Sequence, residues 1–342
     1  MTTSKPGEGT PAARSGGGAL TAGALEEGAF RVLRALASAE GAVARSALLR
    51  DAGEPHSVLA KLERDHPTWW SSTGEKIGLS PVARALVEEE RRRRTPRLAD
   101  EALVEALREA ARGRPRVKRE LDQVWLTLPS VARRARALVE AGEPGRHLLF
   151  LGDDDLASLA LHLLGMPCTV LDLDDELVAF LSEAGVEAHV HDLREPLPRA
   201  MRGRFGAVFT DPPYAPEGFA LFGSRAVEAM RVEDARFWVA FGWSRRASER
   251  GLAKQRVLTE LGLVAEEVIP DFGVYDGAES LGARSALWVC RRTPQAKPLV
   301  LRGDGELYTR RKPNVGKRGK PNPGRRGKPD AGKGDKPDPG KP

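Results

Sequence analysis

An α/β fold with a mostly parallel β-sheet is the class that this sequence predicts. In residues 141–300, short apolar segments alternate with segments whose apolar residues recur at helical spacing. The stretch "LLFLGDDDLASLALHLLG", from Leu148 to Gly165, is one such unit: an apolar strand, a break at Gly152 and an amphipathic helix. Because helical crossovers join parallel strands, this alternation indicates a sheet with helices on both faces.

Seven strands are predicted in this region. They are His147–Leu151, Thr169–Leu173, Ala188–His191, Gly206–Thr210, Phe237–Gly242, Leu263–Ile269 and Ala286–Cys290. Helices are predicted between most of them, at Leu156–Leu164, Glu176–Glu183, Phe219–Met230 and Leu252–Leu261. The last two strands follow each other without a helix, so one of them should be antiparallel. This arrangement is that of a class I methyltransferase-like Rossmann domain.

A small winged-helix-like domain is predicted for residues 25–95. Three helical segments, "EEGAFRVLRALASA", "ARSALLRDAG" and "HSVLAKLERDH", precede two short strands around Thr73 and Gly74 and a closing helix. The second and third helices are not conspicuously basic, so dimerisation or docking is an alternative to DNA binding, and a homodimer is compatible with this domain type. Residues 96–140 are expected to form a helical connection, in which Ser130 can cap the last helix.

Both termini are predicted to be disordered. Residues 1–24 are rich in Gly, Ala and Thr and lack an apolar signal core, and residues 301–342 form a basic tail rich in Gly, Lys and Pro. The chain contains no apolar run of 18 residues, so we expect no membrane span. Cys168 immediately precedes one predicted strand and Cys290 ends another, so both are interpreted as packing residues, which favours a reducing, cytoplasmic location.

The net charge of +6 on the 342 residues is unevenly distributed. Residues 310–342 contain twelve Lys or Arg and three Asp, a net charge of +9, so the preceding chain carries −3. Binding to nucleic acid is therefore expected only through the tail.

Acidic residues follow four of the predicted strands. They are Asp153, Asp154 and Asp155 after Gly152, Asp172 and Asp174 at the second strand, Asp192 after the third, and Asp211, followed by Pro212, Pro213 and Tyr214, after the fourth. Ligands bind at the carboxyl ends of the strands in open α/β sheets. Because clustered carboxylates are costly without a cation, the four strand ends predict one cationic ligand site.

Each acidic residue also has a structural interpretation. Asp153 could cap the helix that starts near Leu156, and Asp174 could cap the next helix. Asp172, near its strand end, is typical of a residue that accepts from ribose hydroxyls. The Asp-Pro-Pro-Tyr loop is more specific, because two prolines remove N–H donors and leave carbonyl acceptors, a carboxylate and an aromatic ring for an amine.

The acidic first turn also restricts which sulfonium compound could bind as a group donor. Ordinary S-adenosylmethionine carries a carboxylate, which three aspartates would repel. Decarboxylated S-adenosylmethionine ends in a primary ammonium, which they would attract. The turn therefore favours this decarboxylated sulfonium compound as a co-substrate, together with a polyammonium acceptor.

Taken together, "LFLGDDDL", "VLDLDDEL", "HDLREPLP" and "TDPPY", with "LDQVWLT" upstream, resemble the branched-chain polyamine synthases. The resemblance covers about residues 25–295. It implies transfer of aminopropyl groups from decarboxylated S-adenosylmethionine to the internal secondary amine of spermidine or a similar polyamine, with release of 5′-methylthioadenosine and no further cofactor. The basic tail departs from what we expect of the family.

The resemblance also implies residue roles. Gly152 to Asp155 would hold the aminopropyl arm and the reacting amine, and Asp172 would bind the ribose. Asp192 would accept from the adenine amino group, with Leu193 beside the ring. The remaining substrate contacts are expected from Asp211, Tyr214 and, upstream, Gln123.

The chemistry is substitution at the carbon next to the sulfonium, and the acceptor amine must first lose a proton. Asp155 is our first choice of base and Asp211 the second, while Asp153 and Asp154 would orient ammonium groups. The six histidines show no metal-ligand spacing, so we expect no metal. The alternatives are a DNA or RNA amino-methyltransferase, whose Asp-Pro-Pro-Tyr loop would hold a flipped base, and a non-enzymatic DNA-binding regulator.

Overall fold

The computed structural model describes residues 25–243, 248–277, 283–300 and 307–308. The predicted disordered leader, residues 1–24, lies outside the described residues, and so does the tail apart from Leu307 and Tyr308. No helix in the described ranges is long and apolar enough to cross a membrane.

The N-terminal region contains the helices and the hairpin that the sequence predicts. Its elements are α1 (Glu27–Ser38), β1 (Val43–Ala44), α2 (Arg45–Ala52), α3 (His56–Asp65), β2 (Trp70–Thr73), β3 (Lys76–Leu79) and α4 (Pro81–Arg93). The three strands pair antiparallel in the order β1-β3-β2. Phe30, Leu33, Leu59 and Ile77 are among the residues that build a core of its own. The elements agree with a winged helix, and the winged-helix assignment itself stays a prediction.

Two helices connect this region to the main sheet, α5 (Asp100–Ala110) and α6 (Leu128–Glu140). The expected cap at Ser130 is wrong, because α6 already starts at Leu128 with Pro129 in its first turn. Ser130 Oγ instead accepts from the backbone N–H of Val274 at 3.1 Å. Ser130 therefore ties α6 to the far end of the main sheet.

The main sheet has seven strands, as predicted. Its elements are β4 (Leu148–Leu151), α7 (Ala157–Leu163), β5 (Thr169–Asp172), α8 (Asp175–Glu183), β6 (Glu187–Val190), β7 (Ala207–Thr210), α9 (Pro216–Ala229), β8 (Arg236–Phe241), α10 (Ser248–Glu260), β9 (Leu263–Val274) and β10 (Arg284–Arg292). The strand order is β6-β5-β4-β7-β8-β10-β9. β10 is antiparallel to both of its neighbours, which confirms the prediction for the last two strands.

The final strand pair is longer than predicted. β9 continues past Pro270 to Val274, and its register against β10 shifts between Ser285 and Leu287. Proline is tolerated there because β9 is an edge strand, where the missing N–H faces away from the ladder. The extension matters for the site, since it carries the chain to Tyr275.

Alternation along the strands separates two apolar layers. In β4, Leu148 and Phe150 face the layer that contains Leu138 of α6, whereas Leu149 and Leu151 face the opposite layer. Since β4 to β7 run parallel, their carboxyl ends meet at one edge of the sheet. The acidic segments of the sequence are therefore brought together at that edge.

Candidate active site

A cavity opens at this edge of the sheet. It is lined by nine of the ten predicted site residues: Gln123, Gly152, Asp154, Asp155, Asp172, Asp192, Leu193, Asp211 and Tyr214. Asp153 does not line it. The other lining residues include Asp122, Phe222, Tyr275 and Tyr308.

The structure places Asp153, predicted to bind substrate, at the start of α7 and not in the cavity wall. Its carboxylate, 3% exposed, accepts from the backbone N–H groups of Ala157 and Ser158 at 3.0 Å each, and from the Ser158 hydroxyl. Burial raises the pKa of Asp153 to about 7. Asp153 therefore caps the start of α7, the structural alternative that the sequence left open.

A turn over residues 153–156 separates Asp153 from its two neighbours, since the Leu156 N–H donates to Asp153 O at 3.0 Å. Gly152 precedes this turn, and its φ of +73° lies in the left-handed region that favours glycine. The backbone N–H of Asp153 donates to Asp172 Oδ2 at 3.0 Å, so the first and second strand ends are joined directly. Within the turn, Asp154 and Asp155 face the cavity, whereas Asp153 faces α7.

Asp154 and Asp155 hold the segment of residues 118–127, which crosses the strand ends between α5 and α6. Asp154 Oδ2 accepts from Val124 N–H at 3.2 Å, and Asp155 Oδ1 accepts from Leu126 N–H at 3.0 Å. Part of the acidic turn thus positions a backbone wall of the cavity. This role needs acceptors at the strand end, and short carboxylates provide them.

Asp174 anchors the other end of the 118–127 segment. Its carboxylate accepts from Lys118 Nζ at 2.5 Å and from Gln123 Nε2 at 3.1 Å. Although burial raises the pKa of Asp174, these hydrogen bonds lower it below its ordinary value. Asp174 also accepts from Leu177 N–H at 3.2 Å, which confirms the predicted cap of α8.

Arg134, which the sequence analysis missed, bridges the two predicted bases. Its guanidinium donates to Asp155 Oδ2 at 2.5 Å and to Asp211 Oδ2 at 3.0 Å. The Tyr275 hydroxyl donates to the same oxygen of Asp211, and the Phe209 ring lies 4.7 Å from the guanidinium. Although burial lowers the pKa of Arg134, the adjacent acidic groups raise it above its ordinary value, so Arg134 stays a cation.

The carboxylates of the cavity exceed the cations that contact them. Burial, and then the charges of Asp155, Asp211 and Asp172, raise the pKa of Asp154 well above its ordinary value. Burial also raises the pKa of Asp211 to about 6, against the opposing effect of Arg134. An ammonium group in the cavity would reverse both shifts, because a nearby cation favours the ionised carboxylate.

Asp172 and Asp192 lie on the other side of the cavity. Asp172 accepts from the backbone N–H groups of Asp153 and Asp174, and burial raises its pKa. Asp192 is paired with Arg194, whose hydrogen bonds lower the pKa of Asp192 below its ordinary value. Arg194 is exposed, and it lines the cavity together with Asp192.

Leu307 and Tyr308 are described residues within the predicted tail. Leu307 packs against the apolar layer that contains Phe219, and Tyr308 lines the cavity. Burial raises the pKa of the Tyr308 hydroxyl, and the charge of Arg194 opposes this shift. Tyr308 therefore contributes to the wall of the site.

The sequence contained a signal for Arg134 but not for Tyr275. Arg134 lies on the same buried face of α6 as Val131, Ala135 and Leu138. An arginine on such a face needs a buried partner for its charge. Tyr275 follows β9, whose predicted end at Ile269 lies before its observed end at Val274. Its contact with Asp211 joins residues 64 positions apart and carries no local pattern.

Comparison with known proteins identifies the family. The model of the branched-chain polyamine synthase A C-terminal domain matches residues 102–297, more than half of the chain. The chain belongs to the branched-chain polyamine synthase family. Its matched region contains the whole acidic edge of the sheet and the 118–127 segment.

Curated relatives agree with this family. An N(4)-bis(aminopropyl)spermidine synthase of Thermus thermophilus is 37% identical over 175 residues, which cover 48% of this chain and 51% of the relative. The enzyme of that name from Thermococcus kodakarensis is 31% identical over 214 residues, 59% of this chain and 60% of the relative. The chain thus matches about half of the length of these curated relatives.

A solved structure extends the similarity to most of the fold. It is the branched-chain polyamine synthase from Thermus thermophilus in complex with N4-aminopropylspermidine and 5′-methylthioadenosine, 27% identical to this chain with a TM-score of 0.55. The match covers 82% of this chain and 91% of that one. Within the described part of this chain, no cluster of three or more His, Cys, Asp or Glu is arranged to hold a metal ion.

Proposed function

We propose that this protein transfers aminopropyl groups from decarboxylated S-adenosylmethionine to the internal secondary amine of spermidine or a similar polyamine. The products would be a branched-chain polyamine and 5′-methylthioadenosine. The observation that carries the proposal is one cavity that is lined by Asp154, Asp155 and Asp211 after the neighbouring strands β4 and β7, and by Asp172, Asp192 and Leu193 at the ends of β5 and β6. The related Thermus enzyme binds a branched polyamine and this nucleoside together.

The two sides of the cavity suit the two substrates. The Asp172 side takes the nucleoside, with Asp172 for the ribose hydroxyls and Asp192 for the adenine amino group beside Leu193. The Asp154 side takes the aminopropyl arm and the polyamine, whose ammonium groups supply the cations that the carboxylates lack. Tyr214 completes the acceptor wall.

The reaction forms a bond between the acceptor nitrogen and the carbon next to the sulfonium, and the bond from that carbon to sulfur breaks. Before attack, the acceptor ammonium gives its proton to a carboxylate. Asp155 stays our first choice of base and Asp211 the second. Both carboxylates face the cavity. Arg134 fixes both carboxylates, so the amine meets them in a set geometry, and positioning supplies much of the rate.

Arg134 contacts both candidate bases. Its guanidinium donates to Asp155 Oδ2 at 2.5 Å, so this oxygen already has a partner. Asp211 accepts from Arg134 at 3.0 Å, and burial raises the pKa of Asp211 to about 6. Separate replacement of Asp155 and Asp211 by asparagine therefore tests which of the two carboxylates is the base.

The acidic turn should select the donor. Asp154 and Asp155 remain in the cavity after Asp153 is assigned to the helix cap, so two carboxylates still face the end of the donor. We expect calorimetry to show far tighter binding of decarboxylated S-adenosylmethionine than of S-adenosylmethionine. Equal affinities would contradict this account of the turn.

The function itself is tested by the reaction products. The purified protein is incubated with decarboxylated S-adenosylmethionine and spermidine, and mass spectrometry should show 5′-methylthioadenosine and spermidine heavier by one or two aminopropyl groups. A parallel reaction contains S-adenosylmethionine and DNA or RNA. Methylated nucleic acid with unmodified spermidine would instead support the amino-methyltransferase alternative, which the Asp-Pro-Pro-Tyr loop also allows.

A further inference from the structure

Lys254 is a buried cation near the site with no role in the mechanism above. It lies on α10, and only 3% of it is exposed. Its Nζ lies 4.7 Å from the ring centre of Tyr214, 5.3 Å from that of Phe241 and 5.8 Å from that of Phe219. In the described part of the chain, no hydrogen bond or ion pair joins this ammonium to another side chain.

This environment is unfavourable for an ammonium group. Burial lowers the pKa of Lys254 to about 8, although the charge of Asp211 raises it. Ring faces attract a cation, but they replace water less well than a carboxylate would. A methionine of similar length would fill the same space without that cost, so packing alone does not explain a lysine here.

Tyr214 connects Lys254 to the cavity. Its ring is a wall of the acceptor side, and the chain before it, Pro212 and Pro213, has fixed φ angles. The backbone of the loop is thus restrained, and the side chain of Tyr214 is the part that needs a partner. Among the described residues, the cation–ring contact with Lys254 is the one polar interaction that the structure gives this ring.

We propose that Lys254 is a positioning residue, whose ammonium holds the Tyr214 ring in the acceptor wall. The proposal rests on the proposed function, because it takes this wall to bind the polyamine. Lys254 would then influence the binding of the acceptor rather than the chemical step. The donor, on the far side of the cavity, should be unaffected.

The test compares Lys254→Met and Lys254→Arg in the full chain. Methionine removes the charge and keeps the length, whereas arginine keeps the charge over the rings. For Lys254→Met we expect the KM for spermidine to rise about fivefold, the cost of an unrestrained side chain, with kcat and the KM for the donor nearly unchanged. Lys254→Arg should restore most of the lost affinity. Lys61→Met, at an exposed lysine of the N-terminal region, is the matched control and should resemble the wild type.

Thermal unfolding separates positioning from simple packing. Because an unpaired buried charge is removed, the Tm of Lys254→Met should equal or exceed that of the wild type while its KM for spermidine rises. An unchanged KM overturns the proposal, whatever the Tm. A raised KM that Lys254→Arg does not restore also overturns it, since the charge would then be irrelevant. If the wild type itself forms no aminopropylated product, the proposed function fails, and the Lys254 proposal fails with it. If the wild type is active and the KM for spermidine is unchanged in Lys254→Met, only the Lys254 proposal is refuted.

Discussion

Replacement of Arg134 by methionine should destabilise the protein far more than the loss of an ordinary ion pair. Only 1% of the Arg134 side chain is exposed, as against 4% for Asp155 and 20% for Asp211. The variant would leave two carboxylates in a buried site without their cation. Removal of one partner of a buried ion pair typically costs about 3–5 kcal/mol. We expect the lower end, about 3 kcal/mol, because Asp211 is partly exposed and protonates readily.

Arg136 on the same helix provides a matched control. It pairs with Asp100 at 2.5 Å, but 64% of the Asp100 side chain is exposed. Exposed pairs contribute about 0–1 kcal/mol, so Arg136→Met should change the free energy of unfolding by no more than that. Both variants lose the same charge from the same helix, and the difference between them is the burial of the ion pair, since 25% of the Arg136 side chain is exposed as against 1% for Arg134.

Urea unfolding, followed by tryptophan fluorescence and circular dichroism, measures both costs. The deficit of Arg134→Met should shrink as the pH falls from 8 to 5. The reason is that loss of Arg134 raises the pKa of Asp211 further above about 6, so protonation removes the buried charge within this range. Equal costs for the two variants would refute the role of Arg134 as the counter-ion of the site. A deficit that does not depend on pH would refute the electrostatic explanation of it.

The remaining predictions concern catalysis. Asp155→Asn should lower kcat by about 10²–10⁴-fold with an intact fold, as expected for a lost general base; a larger loss in Asp211→Asn, with Asp155→Asn nearly active, would exchange the two roles. The wild-type kcat/KM for spermidine should fall as the pH drops below about 6, because the raised pKa of Asp211 lets this carboxylate protonate there, and Asp211→Asn should lack that decline. Tyr308→Ala should weaken the binding of 5′-methylthioadenosine by about fivefold in calorimetry, the contribution of one aromatic wall, and unchanged binding would place Tyr308 outside the nucleoside site.

Local patterns were sufficient for the main sheet. Strands such as β4 consist of apolar residues that are buried on both faces, and each is followed by a break and a helical repeat, so their type and direction are encoded within about 15 residues. The meeting of the acidic strand ends followed from the same patterns, since parallel strands place their carboxyl ends at one edge. Nine of the ten predicted site residues accordingly line one cavity.

The sequence by itself thus determined which strand ends form the site, but the tertiary structure decided what each residue does there. Asp153, Asp154 and Asp155 are equivalent in the sequence, and the turn over residues 153–156 directs the first to a helix N-terminus and the other two to the cavity. Arg134 and Tyr275 meet Asp211 from positions 77 and 64 residues away. No local pattern encodes such contacts, because the free energy of a buried charge depends on which partners the folded chain brings to it.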